Sequence, residues 1–299
     1  MQIRNFLTPQ DFLHTCAPIL ERDEAANNLM LGLAQDLIVH PPADPSQVLM
    51  YAFAEEVIHG NPLHGHVHAH AAEPYCFLLQ TDAQRGMVVS VTDKLPEERL
   101  PIIVACLRGM HPELAGIQGP RALAKRMADM WTSHAELHFN QLLYTCDRVV
   151  PPTSVPTGRR RMATAADLRF LPEWLMGFAM DTMTIAMTRE QAKKQAVKRL
   201  ADGAIQIWED GAAVSMLMII RPTKTGCMVG YVYTPPALRG RGYASALVAE
   251  ATQEQLDRGK AFVALFTDEA NPTPNKIYRA LGYEEMGAYA HYWLHPEKS

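Results

Sequence analysis

The sequence lacks the features that mark several specialised classes of protein. Its 28 lysines and arginines are outnumbered by 32 aspartates and glutamates, so it has no basic surplus of the kind that nucleic-acid-binding proteins carry. The longest unbroken apolar stretches, such as residues 216–220, fall far short of the roughly 20 residues that a membrane span needs. Residues 1–9 contain no apolar run suited to a signal peptide. We therefore expect a cytoplasmic protein that binds neither nucleic acid nor a membrane.

Cysteine is also scarce. The five cysteines are scattered and never spaced as C-x-x-C, which indicates reduced thiols rather than disulfides or a zinc site. Histidine is concentrated instead, at His59, His64, His66, His68 and His70. Alternation would place the last four on one face of a strand, which is either a solvated face or a transition-metal site. Because no cysteine or clear carboxylate partner accompanies them, we expect that no metal is required.

The length of 299 residues suits two domains of ordinary size. The clearest break is the proline-rich stretch 150–158, which predicts an extended linker. We place one domain at residues 1–150, the linker at 151–158 and a second domain at 159–299. Three arginines at 159–161 indicate a solvated strand edge or, less in keeping with the acidic whole, a nucleic-acid patch.

The first domain mixes helix and strand patterns. A glycine-rich turn at residues 115–120 is predicted to enter a helix at 121–131, and a strand follows. This order faintly repeats that of the second domain, and a second phosphate site at the turn is one hypothesis. The first domain could therefore be a degenerate copy of the second fold, with a role towards the acceptor or a partner.

The second domain has a more regular pattern, in the order β, α, α, β, β, β, α, β, α, β. This order predicts an α/β (α+β) fold with a mixed sheet, in which residues 209–211 form a hairpin turn. The segment Arg239-Gly240-Arg241-Gly242-Tyr243-Ala244 follows a strand and opens an amphipathic helix. Such a turn directs unpaired backbone N–H groups and the positive end of the helix dipole at one point, so it predicts a phosphate site.

Two motifs in this domain resemble those of a known family. The turn has neither the P-loop pattern nor three-glycine dinucleotide spacing. The spacing of Arg239, Gly242 and Ala244 resembles the pyrophosphate motif of the GNAT superfamily of acyl-CoA-dependent N-acyltransferases. Residues 268–283 resemble its second signature, an Asn, a short helix carrying Tyr278, and Leu-Gly-Tyr at 281–283. The resemblance covers roughly residues 159–295 and implies a mostly antiparallel central sheet flanked by helices.

The resemblance also implies a donor site. Backbone amides of residues 239–245 would hold the pyrophosphate of acetyl-CoA, and the strand edge at 232–234 would pair with the pantetheine arm. Pro235 and Pro236 have no N–H to offer, so the strand must end there and leave a gap. The expected donor-binding residues are Val232, Tyr233, Thr234, Arg239, Gly240, Arg241, Gly242, Tyr243, Ala244, Ser245, Asn271 and Asn275. For Asn271, helix capping is an equal alternative.

Tyr278 is the expected catalytic residue, because a tyrosine at this position of the motif can donate a proton to the leaving thiolate. Core packing with Leu281 is the alternative role for its side chain. The general base stays open among four carboxylates and a water chain; the carboxylates are Glu209, Asp210, Asp268 and Glu269. Methionines at 176, 180, 183 and 187, beside Trp174 and Phe178, are either packing residues or the lining of an acceptor site.

We therefore predict an N-acetyltransferase that moves an acetyl group from acetyl-CoA to a primary amine by direct attack. One alternative is a catalytically silent acyl-CoA sensor or interaction protein. Another is a tandem GNAT-like aminoacyltransferase that uses a charged tRNA, which the lack of a basic surplus disfavours. The motifs leave the amine and the oligomeric state open.

Overall fold

The structure is a computed structural model that describes residues 1–59, 68–182 and 186–295. The chain forms two compact units, one of residues 1–141 with 287–299 and the other of residues 142–286. These bounds differ from those of the predicted domains, because residues 289–293 pair with residues 116–120 in the sheet of the first unit. The stretch 151–158, predicted as a linker, lies within the second unit.

The first unit is a sheet in the order β1-β2-β5-β6-β7-β14 with helices packed on it. Its elements are β1 (Gln2–Asn5), α1 (Pro9–Leu20), α2 (Glu24–Val39), β2 (Leu49–Ala54), β3 (Glu56–His59), β4 (His68–Ala71), β5 (Cys76–Gln80), β6 (Met87–Val91), α3 (Arg99–Met110), β7 (Gly116–Pro120), α4 (Arg121–Trp131), the start of β8 (Ala135–Cys146) and the end of β14 (Glu284–Leu294). Strands β6 and β7 are parallel, and the other neighbours in this sheet are antiparallel. Strands β3 and β4 form a separate hairpin.

The second unit is a sheet in the order β8-β13-β12-β11-β10-β9. Its elements after β8 are β9 (Arg159–Met162), α5 (Leu171–Asp181), α6 (Arg189–Ala201), β10 (Ile205–Asp210), β11 (Ala212–Ile220), β12 (Gly226–Tyr233), α7 (Tyr243–Asp257), β13 (Phe262–Asp268), α8 (Pro272–Ala280) and the start of β14. Strands β12 and β13 are parallel, and β9 to β12 are antiparallel neighbours. Helix α7 buries Leu247, Val248 and Ala251, the apolar face that its spacing predicts.

The two halves of the chain repeat one order of elements. Apart from the β3–β4 hairpin, β1 to β8 and β9 to β14 each run β, α, α, β, β, β, α, β, α, β. Each half also has one parallel pair in the same place, β6 with β7 and β12 with β13. The predicted fold class, a mostly antiparallel mixed sheet flanked by helices, is therefore confirmed. None of the helices in the described ranges combines the length and the apolar character that a membrane span requires.

The glycine-rich turn predicted at residues 115–120 is wrong. Residues 116–120 form strand β7, and Ile117 is buried in the sheet. The glycines serve close approach rather than a turn. A Cβ at Gly119 would lie 2.7 Å from the Val89 carbonyl oxygen, and one at Gly116 would lie 2.6 Å from that of Tyr292. The hypothesis of a second phosphate site at a turn here therefore has no turn to support it.

The hairpin predicted at residues 209–211 is tighter than expected. Glu209 and Asp210 belong to β10 and pair with Ala213 and Ala212, so only Gly211, with a φ of 70°, lies between the strands. The register shifts between Trp208 and Glu209. Both carboxylates are half-buried members of a strand rather than residues of an exposed turn.

The three arginines at 159–161 lie on β9, the edge strand of the second sheet, as the first interpretation predicts. Arg161 binds both carboxylate oxygens of buried Asp167 at 2.8 and 2.9 Å, and its Nε donates to Glu209 at 2.7 Å. Arg160 donates to Glu254 at 2.7 Å. These acidic partners neutralise the positive charge of the arginines, so the strand is poorly suited to bind nucleic acid.

Candidate functional site

The site begins where two parallel strands separate. Strands β12 and β13 pair only at their amino ends, where residues 226–228 face residues 262–264. Beyond that point β12 continues to Tyr233 along β11 alone. Residues 229–233 therefore present a backbone edge that no strand of the described ranges covers. The gap opens well before Pro235, so the prolines end the strand but do not by themselves create the separation.

A β-bulge lies on this free edge. Met216 pairs with Tyr233 and Met218 with Gly230, so two residues of β12, Tyr231 and Val232, oppose Leu217 alone. Tyr231 has a φ of 53°, a left-handed conformation that is uncommon for a residue with a bulky side chain. A bulge re-aims backbone groups locally, and such strained residues concentrate at functional sites. No residue type at these positions indicates the bulge, since the only glycine nearby is Gly230.

Helix α7 starts beside this edge with a run of unused backbone donors. Its first helical hydrogen bond runs from the Ala246 N–H to the Gly242 carbonyl at 3.0 Å. The N–H groups of residues 240–245 have no acceptor in the described ranges. Gly240 and Gly242 have φ values of 77° and 82°, which glycine adopts freely. Six consecutive N–H groups and the helix dipole form a site suited to an anion.

The side chains of this turn hold the turn itself. Arg239 donates from Nε to the Thr234 carbonyl at 2.9 Å and pairs through Nη2 with Asp181 at the end of α5. Its guanidinium carbon also lies 5.8 Å from the centroid of the Tyr233 ring. The Tyr243 hydroxyl donates to Asp210 at 2.8 Å, which anchors the first residue of the helix to β10. The anion site is thus mainly a backbone site.

Asn275 closes the turn between β13 and α8. Its Nδ2 donates to the carbonyls of Asp268 and Asn271 at 3.0 and 2.8 Å. These carbonyls are acceptors only, so they fix which atom of the amide is nitrogen. The Asn275 Oδ1 is buried and has no hydrogen-bond partner among the described residues, so it is an acceptor available to a ligand. Asn271 occupies the cap position of α8, but its side chain makes no capping hydrogen bond, so capping does not account for it.

Tyr278 is buried on α8, one turn beyond Asn275. Its ring packs against that of Tyr283 with centroids 5.9 Å apart, so the packing role is real. Its hydroxyl has no hydrogen-bond partner within the part of the chain that the structure describes. Burial raises the pKa of this hydroxyl to about 12, which keeps its proton in place at neutral pH. A protonated hydroxyl on a buried ring, with no acceptor among the described residues, is suited to donate to a ligand atom.

Three of the four carboxylates considered as a general base are engaged elsewhere. Glu209 accepts from Arg161, which lowers the pKa of its carboxyl. Asp210 accepts from Tyr243 and, at 2.9 Å, from the Thr157 hydroxyl. Asp268 Oδ1 accepts from the Ala270 N–H at 2.8 Å. Glu269, the fourth, is exposed. These contacts favour the water chain over the first three carboxylates.

Helix α5 covers the end of β12 with aromatic residues rather than methionines. Phe178 lies 5.1 Å from Tyr231, and Trp174 lies 6.1 Å from Tyr233, measured between ring centroids. Met180 is 80% exposed, so its side chain is not a packing residue. Met176 and Met187 are half-buried, and Met183 lies outside the described residues.

The first unit lacks the corresponding anion site. The segment from β6 to α3 contains no glycine, and the residues before the helix include Asp93, Glu97 and Glu98. Acidic side chains at a helix start repel an anionic ligand. Arg99, the first residue of α3, is held by Glu55 at 2.6 Å. This segment of the first unit therefore lacks the glycine turn that precedes α7 in the second unit.

The histidine-rich segment lies partly outside the described residues. His64 and His66 lie outside the described residues, and only backbone positions are described for the other three, on the β3–β4 hairpin. Among residues 1–59, 68–182 and 186–295, no group of three or more potential ligands is arranged to hold a metal ion.

Comparisons with known proteins bear on both halves of the chain. No curated protein matches the sequence. A structure titled as a GCN5-related N-acetyltransferase from Sphaerobacter thermophilus matches 100% of this chain and 97% of its own, with a TM-score of 0.61 and 17% identity. A GNAT-family acetyltransferase from Colwellia psychrerythraea matches 99% of this chain and 100% of its own, with a TM-score of 0.55 and 12% identity.

A structure titled as a tandem GNAT protein from the clavulanic acid biosynthesis pathway matches 99% of both chains, with a TM-score of 0.55 and 11% identity. At these identities the likeness shows the fold, and it extends over both halves. Residues 169–283 match the model of the acetyltransferase (GNAT) family, the region that contains the strand gap, the start of α7 and Tyr278. The chain therefore contains a GNAT-family acetyltransferase domain, and this family indicates an acyltransferase.

Proposed function

We propose that the second unit transfers an acetyl group from acetyl-CoA to a primary amine. The observation that carries this proposal is the run of six unpaired N–H groups at residues 240–245, beside the uncovered edge of β12. A pyrophosphate needs several donors converging on one point, and a pantetheine amide needs a strand edge with free backbone groups. The two features adjoin here, as a ligand with both parts requires.

The donor site consists mainly of backbone groups and one amide side chain. Residues 240–245 bind the pyrophosphate through their N–H groups, while Arg239 keeps the turn in place through Thr234 and Asp181. The edge at residues 232–234 pairs with the pantetheine arm. Asn275 accepts a hydrogen bond from the donor substrate through its free Oδ1. Asn271, exposed at the cap of α8 without a capping bond, is a second amide side chain that contacts the donor substrate.

The reaction needs no covalent enzyme intermediate. The amine nitrogen attacks the thioester carbonyl carbon, the carbon–sulfur bond breaks, and an amide and a free thiol are formed. An N–H group of the bulge at Tyr231 and Val232 donates to the carbonyl oxygen as charge develops on it. The Tyr278 hydroxyl donates its proton to the departing sulfur, the amine loses a proton to water, and Tyr278 regains a proton from water before the next turnover. No step requires a metal.

The test is to incubate the full-length protein with acetyl-CoA and a library of primary amines, and to measure release of free thiol. We expect thiol release that depends on the amine, and mass spectrometry should find the amine heavier by one acetyl group. A protein that binds acetyl-CoA in calorimetry but acetylates no amine would be a sensor. If tRNA competes with coenzyme A for the protein, aminoacyl transfer becomes the better proposal.

A further inference from the structure

Four aromatic side chains meet at the uncovered end of β12. Trp174 and Phe178 come from α5, and Tyr231 and Tyr233 come from β12. All four are half-buried, so each keeps part of its ring surface open. Phe170 extends the group beyond Trp174, with ring centroids 4.5 Å apart. We call these five residues the aromatic cluster.

The cluster depends on two unusual local features. Gly177 lies between Trp174 and Phe178 on α5, and a Cβ there would lie 2.3 Å from the Tyr233 hydroxyl oxygen. The absence of a side chain thus lets the Tyr233 phenol lie against the helix. Tyr231 adopts a φ of 53° within the bulge, and its ring contacts Phe178. Neither a helix glycine nor a left-handed tyrosine is favourable in isolation, so the surrounding structure must hold both in place.

The position of the cluster determines what can bind there. Tyr233 belongs to the strand edge that we assign to the pantetheine arm, and Tyr231 belongs to the bulge that we assign to the thioester carbonyl oxygen. A molecule in contact with their rings therefore lies next to the thioester end of the donor. Asp181, one turn after Phe178, is neutralised by its ion pair with Arg239, so the rings rather than a charge define this surface. A half-buried aromatic surface is complementary to a flat apolar group, and the amine is the reacting group of the proposed transfer.

We propose that the aromatic cluster binds the acceptor, and that the acceptor is a primary amine on an aromatic body. This inference rests on the proposed acetyl transfer, and the reaction is the one given above. The amine nitrogen bonds to the acetyl carbon, the carbon–sulfur bond breaks, and coenzyme A leaves as the thiol. Spermidine and glucosamine have no aromatic ring, so neither can form the ring–ring contacts that an aryl amine makes with the cluster.

The experiment compares 2-phenylethylamine with spermidine and glucosamine as acceptors for the full-length protein. We expect kcat/KM for the aryl amine to exceed that of either other amine by about tenfold or more. Trp174→Leu and Phe178→Leu should each lower this kcat/KM by about tenfold while leaving coenzyme A affinity unchanged. Phe139→Leu is the matched control, because Phe139 is also half-buried but belongs to the first unit. Retained coenzyme A affinity shows that each variant is folded.

Calorimetry on protein saturated with coenzyme A measures aryl-amine binding without any turnover. If 2-phenylethylamine does not bind, or if spermidine or glucosamine is the better acceptor, the aromatic assignment is overturned while acetyl transfer stands. The same holds if both leucine variants match the Phe139→Leu control. If the parent protein does not bind coenzyme A, the proposed function fails and this inference fails with it.

Discussion

Replacing Tyr278 by phenylalanine removes one oxygen atom from the proposed site and leaves the ring packing in place. Because the hydroxyl has no protein partner in the described ranges, its loss leaves no other group unpaired. We expect the free energy of unfolding to change by less than about 1 kcal/mol. Losing a single donor to developing charge in a buried site costs about 10²–10³ in kcat, or roughly 3–4 kcal/mol of the barrier. Coenzyme A affinity should be unchanged.

Tyr283→Phe is the matched control and should give the opposite pattern. The Tyr283 and Thr252 hydroxyls form a buried hydrogen bond of 2.6 Å, so this substitution leaves Thr252 unpaired. We expect a loss of about 1–3 kcal/mol in the free energy of unfolding, with kcat close to that of the parent. Urea unfolding and thiol-release kinetics on both variants provide the comparison. Full activity in Tyr278→Phe would refute the role of Tyr278 as the donor to sulfur.

Three further predictions concern stability and binding. Burial lowers the pKa of His291 to about 4, so protonation of this residue favours the unfolded chain. The free energy of unfolding should be highest above pH 6.5 and should fall by about 2 kcal/mol between pH 7 and pH 5. Urea titrations should show no such fall in His291→Gln. Asp167→Asn should cost about 3 kcal/mol in urea unfolding, because it breaks the buried pair with Arg161, and an effect below 1 kcal/mol would contradict this. Asn275→Ala should weaken coenzyme A binding about tenfold in calorimetry, and unaltered affinity would remove Asn275 from the site.

The sequence predicted those parts of the fold that local chemistry determines. Gly240 and Gly242 mark a left-handed entry to a helix, and the structure has the strand, turn and helix where the pattern places them. Tyr278 and Asn275 occupy one face of a short helix, as their spacing indicates. The roles of these residues remain proposals, but their placement follows from periodicity and capping.

Features that depend on distant contacts were not predictable. The glycines at 116 and 119 resemble a turn, yet they allow close approach by Tyr292 and Val89, which are far away in sequence or in another strand. The pairing of residues 289–293 with β7 shifts the unit boundaries, and no local pattern encodes it. The bulge at Tyr231 was missed because tyrosine seldom adopts a positive φ, so nothing in its type signals the conformation.

Calorimetry of coenzyme A with the parent, Gly242→Ala and Gly259→Ala shows whether the start of α7 binds the pyrophosphate of coenzyme A. Both glycines have left-handed φ values, 82° and 89°, and neither has a close neighbour that a Cβ would strike. Both variants should therefore lose a similar stability, about 1–2 kcal/mol. We predict that the parent binds coenzyme A, that Gly242→Ala weakens binding by about tenfold or more, and that Gly259→Ala does not. Equal affinity in the two variants, or no binding by the parent, would contradict the account.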